Sequence, residues 1–222
     1  MVTHTGKIMN MYSSQCNEDR HLYENYFKDD KTENGFFIEL GAMDGVTYSN
    51  TLFFEKVLGW TGILIEPQVE MYNALIKNRP NCHNFNYAIS ETDGEVKFIG
   101  KHAIGGISNT MPQQQKDGWN LNENSTYLVK SKPIRDVIKE VPIEKVDLFS
   151  IDVEGGEYDV LNTFDWNIHV RIILIEMSSW SPEKNEKCRE FIKNKNFIYS
   201  EKYRGSDIWI NQKDIKEIKE NA

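Results

Sequence analysis

The stretch from Gly35 to Pro67 constrains the fold of this 222-residue chain more than any other. It opens on the apolar run Phe36-Phe37-Ile38-Glu39-Leu40, turns at Gly41 and Gly45, and crosses a polar segment, Thr47-Tyr48-Ser49-Asn50-Thr51. A helix follows with Leu52, Phe53, Val57 and Leu58 as its apolar positions. A second apolar run, Gly62-Ile63-Leu64-Ile65, then stops at Glu66-Pro67. Continuous apolar runs of this kind read as parallel strands buried on both faces. Glycines at a strand end tolerate positive φ and let a ligand approach the backbone. A carboxylate closing the next strand can accept both hydroxyls of a ribose, which makes Glu66 a binding candidate. Strand, glycine turn, helix, strand and acid together predict the first unit of a nucleotide-binding α/β sheet. Gly41-Ala42-Met43-Asp44-Gly45 lacks the middle glycine of a dinucleotide fingerprint, so the glycines alone do not separate this unit from an ordinary strand–helix turn.

Upstream, Leu22, Tyr23, Tyr26 and Phe27 share one helical face, with Ser14 or Asn17 as available caps. For Gln15 and Asp19, residue type favours packing over ligand contact, and Asp29–Gly35 predicts a solvated turn. Downstream, the pattern predicts a helix over 70–78, a third strand over Cys82–Ser90, and a hairpin strand Glu95–Ile99 after the Asp93-Gly94 turn. From Gly100 to about Ser125 the chain is rich in Gly, Asn, Gln and Ser, and a loop of that length predicts a lid or substrate loop, or disorder. A short helix at Pro133–Lys139, a strand at Val146–Asp152, a helix at Tyr158–Phe164, a strand at Arg171–Glu176 and a helix at Glu183–Asn194 follow. Phe197–Tyr203 and Ser206–Asn211 read as an antiparallel hairpin split by Arg204-Gly205.

The acids carry the candidate chemistry. Asp152, Glu154 and Glu157 fall within six residues at the end of the fourth core strand, and Gly155-Gly156 supplies the turn into the next helix. If still extended, Asp152 and Glu154 face the same side. Strand ends near the reversal of strand order form the ligand crevice of an open α/β sheet. Acids gathered there raise one another's pKa and provide a general base. Asp152 is the first candidate, Glu154 the second and Glu176 the third. The bland alternative has Asp152 capping a helix and Glu154 and Glu157 in solvent. No histidine has a matching context: His83 begins a strand, His102 lies in a loop and His169 precedes the fifth strand.

Composition narrows the partners. A formal charge of −8 and no basic, aromatic-interleaved stretch weigh against nucleic acid. No apolar run approaches the ~20 residues that span a bilayer, and the first residues lack a signal-peptide core. Cys16, Cys82 and Cys188 are odd in number and far apart, which suggests neither a disulfide framework nor a zinc site and predicts reduced thiols in the cytoplasm.

Fold class and family converge on these residues. A hairpin closing a βα sheet fits an S-adenosylmethionine-dependent methyltransferase better than an NAD enzyme, whose hydride-site Tyr-x-x-x-Lys is absent. Tyr12-Ser13-Ser14-Gln15, Phe37–Gly45, Ser49-Asn50-Thr51, Leu58-Gly59-Trp60-Thr61-Gly62, Ile63–Pro67 and Ile151-Asp152-Val153-Glu154-Gly155-Gly156-Glu157 resemble the FkbM family of methyltransferases over about residues 12–210. The resemblance implies a Rossmann-like class I methyltransferase fold: a mostly parallel seven-stranded sheet with a C-terminal antiparallel hairpin and helices on both faces. It implies O-methyl transfer from S-adenosyl-L-methionine to a hydroxyl, most often on a sugar or a polyketide-like product, and so a small-molecule or glycan acceptor as the partner. By the same resemblance Glu39, Gly41, Asp44, Gly45, Ser49 and Asn50 surround the methionine part of the cofactor, Glu66 holds the ribose, and Ala88, Ile89 and Ser90 border the adenine. Asp152 and Glu154 can alternatively hold Mg²⁺. An RNA or protein acceptor and a non-catalytic nucleotide-binding module are the competing readings. The expected organisation is one domain, with residues 1–34 a helical segment packed on a 35–212 cofactor-binding core and 213–222 a charged tail.

Overall fold

A computed structural model describes residues 11–28 and 34–215. Residues 1–10 of the expected helical segment, residues 29–33 of the expected turn Asp29–Gly35, and the chain beyond 215 with most of the expected charged tail lie outside the described residues.

Strand β1 (Phe36–Leu40) lies between β2 (Thr61–Ile65) and β8 (Lys145–Ile151), parallel to both. β3 (His83–Phe85) extends one edge, and β9 (His169–Glu176) continues the parallel set on the other side. β10 (Phe197–Tyr203) and β11 (Ser206–Asn211) form the expected hairpin. β11 inserts between β10 and β9, antiparallel to each, so the strand order is β10-β11-β9-β8-β1-β2-β3. This is the mostly parallel seven-stranded sheet that the resemblance implies.

Alternation along β1 shows how the sheet is buried on both sides. Ile38 and Leu40 join one apolar cluster with helices α5 (Ile134–Ile138), α6 (Glu157–Thr163) and α7 (Pro182–Asn194). Phe37 joins the opposite cluster with Leu22, Tyr26 and Phe27, helix α2 (Leu52–Leu58) and Leu75 of helix α3 (Val69–Asn78). Helix α1 (Glu18–Leu22) continues into one π turn over Tyr23–Phe27, and its apolar face docks edge-on against Phe54 and Trp60. Asn17 takes the N-cap position in the left-handed region without a side-chain bond. Instead the Ser14 hydroxyl accepts the Asp19 N–H, and the Asp19 carboxylate accepts the Ser13 and Ser14 N–H groups. Among the described residues no helix is long and apolar enough to cross a membrane.

The structure departs from the sequence expectation in the middle of the chain. The predicted third strand is two pieces, because Asn86 donates its amide to the carbonyls of Glu66 and Pro67 and turns the chain away from the main sheet. The second piece, β4 (Ala88–Ile89), joins β5 (Gly94–Ile99), β6 (Gly106–Ile107) and β7 (Tyr127–Lys132) in a separate four-stranded sheet of order β4-β7-β5-β6. The expected long loop is also structured. It contains a 3₁₀ turn at His102–Ile104, β6, helix α4 (Gln113–Gly118) and a second 3₁₀ turn at Glu123–Ser125. Ile107 and Met111 are buried, and the ammonium of buried Lys116 is bound by Glu123. A handful of well-spaced apolar and paired residues orders a segment whose composition reads as loop.

Candidate active site

The strand ends converge on a cleft open to solvent and lined by residues of both sheets. Its floor is the β1 end. Gly41 has φ +74, and a Cβ there would stand 2.0 Å from the carbonyl oxygen of Asp152, so only glycine lets the ends of β1 and β8 meet this closely. Of the residues expected around a cofactor, Glu39, Gly41, Asn50, Glu66, Ala88 and Ile89 line the cleft.

Asp44, Gly45, Ser49 and Ser90 do not line it. Burial pushes the Asp44 carboxyl up, but the N–H groups of Val46 and Thr47 and the Thr47 hydroxyl outweigh it and hold it below the usual range. Asp44 thereby shapes the turn. Glu39, fully buried, accepts from the Ser49 hydroxyl at 2.9 Å, the Asn50 N–H at 2.7 Å and the Thr51 hydroxyl at 2.5 Å. Fully buried Arg79 closes this network: it donates to the Gly45 carbonyl, Ser49 Oγ and Thr51 Oγ1 and pairs with Glu55. The network fixes the Thr47–Thr51 segment and leaves Asn50 to donate its amide to Ser150 Oγ at 3.0 Å. Ser90 donates its hydroxyl to Thr92 O.

Glu66 caps β2. Its two carboxylate oxygens accept the N–H groups of Met43 at 2.9 Å and Gln68 at 2.8 Å. Burial outweighs these bonds and pushes the carboxyl up to about 7. Each oxygen retains a lone pair for a further donor, which suits a ribose diol.

The second cluster sits at the ends of β8 and β9. One carboxylate oxygen each from Asp152, Glu154 and Glu176 lies within 4.8 Å of the others. Glu154 is not extended as the sequence reading supposed. It has φ +54, and Gly155 follows at φ +115, where a Cβ would stand 2.9 Å from the Thr110 carbonyl oxygen. This held, left-handed pair turns the Glu154 carboxylate back onto Asp152, and such conformations persist only where the surroundings over-determine them. All three carboxyls are driven above the ordinary range: Asp152 and Glu154 by burial first and neighbouring negative charge second, Glu176 by the charge of Asp152 first and burial second. The Gln115 amide of α4 donates to Glu154 Oε2 at 2.7 Å. Glu157 is turned away from the cluster, accepts the Gly155 N–H at 3.0 Å and pairs with Lys184.

Asp152 and Glu176 also face a smaller neighbouring pocket that includes Cys16, Glu18 and Ser206. Four residues border both the cleft and this pocket: Gln15, Tyr48, Asn50 and Asp152. Gln15, for which residue type favoured packing, is therefore at the boundary, whereas Asp19 is packed. His169 pairs with Asp214 outside both pockets. Sequence reasoning missed Tyr48, Gln68 and Gln115. Tyr48 stands at φ +61, strained for a bulky residue, and is 47% exposed at the mouth. No periodicity announces any of the three, although Gln68 follows Glu66 by two positions.

The model of the FkbM methyltransferase domain matches residues 39–199. The chain belongs to that family and is an S-adenosylmethionine-dependent methyltransferase. Among solved structures, Aeropyrum pernix fibrillarin with natively bound S-adenosyl-L-methionine is similar at 11% identity and a TM-score of 0.49, covering 90% of this chain and 75% of that one. The N-terminal domain of human METTL16 is similar at 13% identity and a TM-score of 0.48, covering 88% and 68%. A TehB-like methyltransferase from Corynebacterium glutamicum gives 8% and 0.43, covering 93% and 91%. Likeness at this level transfers neither substrate nor partner. No curated protein matches the chain by sequence.

Proposed function

We propose that this methyltransferase acts on a hydroxyl of a sugar, glycan or related small molecule, with Asp152 as the base. The observation that carries the reading is the position of Asp152, which borders both the cleft and the smaller pocket. A methyl donor in the first and an acceptor in the second would meet at this carboxylate. S-adenosylmethionine supplies a methyl group already activated by its sulfonium. The protein's task is then alignment and removal of the acceptor's proton. Glu66 holds the ribose hydroxyls, Ala88, Ile89 and nearby Ser90 border the adenine, and Glu39 with Gly41, Asp44, Gly45, Ser49 and Asn50 shapes the methionine end. Asp152 takes the proton from the acceptor oxygen. Its raised pKa, caused by burial, makes it a better base than an exposed aspartate. Glu154 and Glu176 accept the acceptor's other hydroxyls.

Mg²⁺ fits the same carboxylates. The donors are all hard oxygens, and buried Glu176 Oε2 has no hydrogen-bond partner. Asp152, Glu154 and Glu176 would hold the ion, which would polarise the acceptor hydroxyl. The unit that does this work is taken to be the 35–212 core with the preceding helical segment, in the cytoplasm, where Cys16, Cys82 and Cys188 stay reduced.

A second reading, methylation of a protein amine, has one observation in its favour: Glu18, Asp152 and Glu176 line the smaller pocket and no Lys or Arg does. The same charge disfavours an RNA acceptor, whose phosphates would be repelled. The test is transfer of labelled methyl from S-adenosylmethionine to monosaccharides, glycans, RNA and basic proteins in parallel. Labelled sugar that Asp152→Asn reduces by about a hundredfold or more is expected of a general base. Label found only in RNA or protein overturns the sugar reading.

A further inference from the structure

Two residues beyond Glu66, the side chain of Gln68 is spent on the inserted segment rather than on solvent. It is 8% exposed, and its amide pairs reciprocally with the backbone of one residue. Nε2–H donates to the His102 carbonyl at 3.0 Å, and Oε1 accepts the His102 N–H at 2.7 Å. The Gln68 backbone N–H is bound at the same time to Glu66 Oε1. One residue thus joins the candidate ribose carboxylate to the turn that opens the insert.

The turn has little freedom to move alone. His102 has φ +53, a conformation that a residue with a side chain keeps only when its surroundings hold it. At Gly105, a Cβ would stand 2.8 Å from Phe98 Cε1 and 3.1 Å from Gln68 Nε2, so this backbone is pressed against both side chains. Phe98, His102, Ala103, Gly105 and Ile107 form the wall of the cleft contributed by the insert and the second sheet, and Glu66, Pro67 and Gln68 form the wall contributed by the main sheet. The two bonds of the Gln68 amide join these walls directly.

We propose that Gln68 is a positioning residue for the cofactor: it latches the His102–Ile107 wall over the adenosine end of the cleft and so sets how slowly the cofactor leaves. This rests on the reading of the cleft as the S-adenosylmethionine site. A side chain of similar bulk without both polar groups leaves the wall packed but unlatched. Loss of two hydrogen bonds of ordinary net worth corresponds to roughly tenfold or more in the dissociation rate. The association rate, governed by encounter with an open cleft, changes little.

The experiment uses S-adenosylhomocysteine as the probe and needs no acceptor. Its association and dissociation rates are measured by surface plasmon resonance on the wild type, Gln68→Leu and Gln68→Glu, with adenosine as a second probe. Hydrogen exchange over residues 98–107 is followed with and without S-adenosylhomocysteine. The expected result is faster dissociation of both probes from Gln68→Leu, with loss of ligand-induced protection over 98–107. Gln68→Glu keeps the length and the acceptor but not the donor, and should be intermediate. If Gln68→Leu unfolds, Gln68→Glu and the wild-type exchange pattern carry the test. Wild-type dissociation rates in whichever variants fold, or no ligand-induced protection over 98–107 in the wild type, overturn the latch. No binding of S-adenosylhomocysteine to the wild type overturns the cofactor reading beneath it, a separate result.

Discussion

Gln115 and Glu154 are 39 residues apart and share a hydrogen bond of 2.7 Å, from the amide of a fully buried side chain to a carboxylate at the end of β8. Through this bond the inserted segment becomes part of the acidic cluster rather than a cover laid over it. The close approach of Gly155 to Thr110 joins the same two segments through their backbones.

Replacing Gln115 by Ala removes the donor and leaves the Glu154 oxygen buried without it. A loss of about 1–3 kcal/mol in unfolding free energy is expected. Urea denaturation measures it. On the proposed reading, in which Glu66 rather than Glu154 holds the cofactor, binding of S-adenosylhomocysteine should change less than the stability does.

The ribose role proposed for Glu66 gives cofactor binding a pH dependence with a definite sign. Burial raises its pKa to about 7 in the free protein. Ribose hydroxyls donate to the ionised form and favour it, so the bound protein has a lower pKa. Affinity for S-adenosylhomocysteine should therefore fall as pH drops below about 7, by up to about tenfold per unit until the bound-state pKa is passed. In the ligand-free protein the same shift acts on folding with the opposite sense. Its contribution is full below the ordinary glutamate pKa and is lost as pH rises through about 7. Calorimetric titration from pH 5.5 to 8.5 tests the binding slope, and Glu66→Gln should flatten it.

Arg79 holds Glu55, Ser49, Thr51 and the Gly45 carbonyl from a position with no solvent exposure. Arg79→Met leaves Glu55 with only Lys56 and the Cys82 thiol as side-chain partners and removes the positive charge that offsets the burial of Glu39. Breaking a buried pair from one side costs about 3–5 kcal/mol, so the variant should unfold at much lower urea or fail to accumulate. Arg79→Lys restores one charge and not the fork, and should recover little of the loss.

Metal binding is open to direct measurement. If Asp152, Glu154 and Glu176 hold a divalent cation, Mn²⁺ should bind one site by paramagnetic resonance titration, and Glu176→Gln should weaken it about tenfold or more as one charged ligand is lost. Absence of Mn²⁺ binding in the wild type would assign the carboxylates to the acceptor alone.

Much of the framework was legible from the sequence. Apolar runs such as Phe36–Leu40 and Gly62–Ile65 are long enough to declare parallel strands, and Phe197–Tyr203 with Ser206–Asn211 declare a hairpin whose bounds match β10 and β11. The gathering of Asp152, Glu154 and Glu176 was legible too, because acids just beyond neighbouring parallel strands meet where those strands end. The second sheet was not. β4 and β6 are two residues each, below any periodic signal, and β7 draws its order from pairing with β5 rather than from its own pattern. The roles of Gln68 and Gln115 were invisible for a related reason. A glutamine acquires a role only through the partner that the fold brings to it, here His102 and Glu154, each more than thirty positions away.

The placement of β11 bears on when the site exists at all. This strand is late in the chain and interior in the sheet, and its Ser206 pairs in register with Glu176. Met177, the next residue, donates its N–H to the carbonyl of Gly205. A ribosome emits β9 long before β11, so during synthesis the β9 edge and the carboxylate at its tip wait without their neighbour. The strand beside Glu176 arrives only when residues near 206 have emerged and β11 has paired with β9. The surroundings of Glu176 are therefore among the last parts of the described fold to be completed.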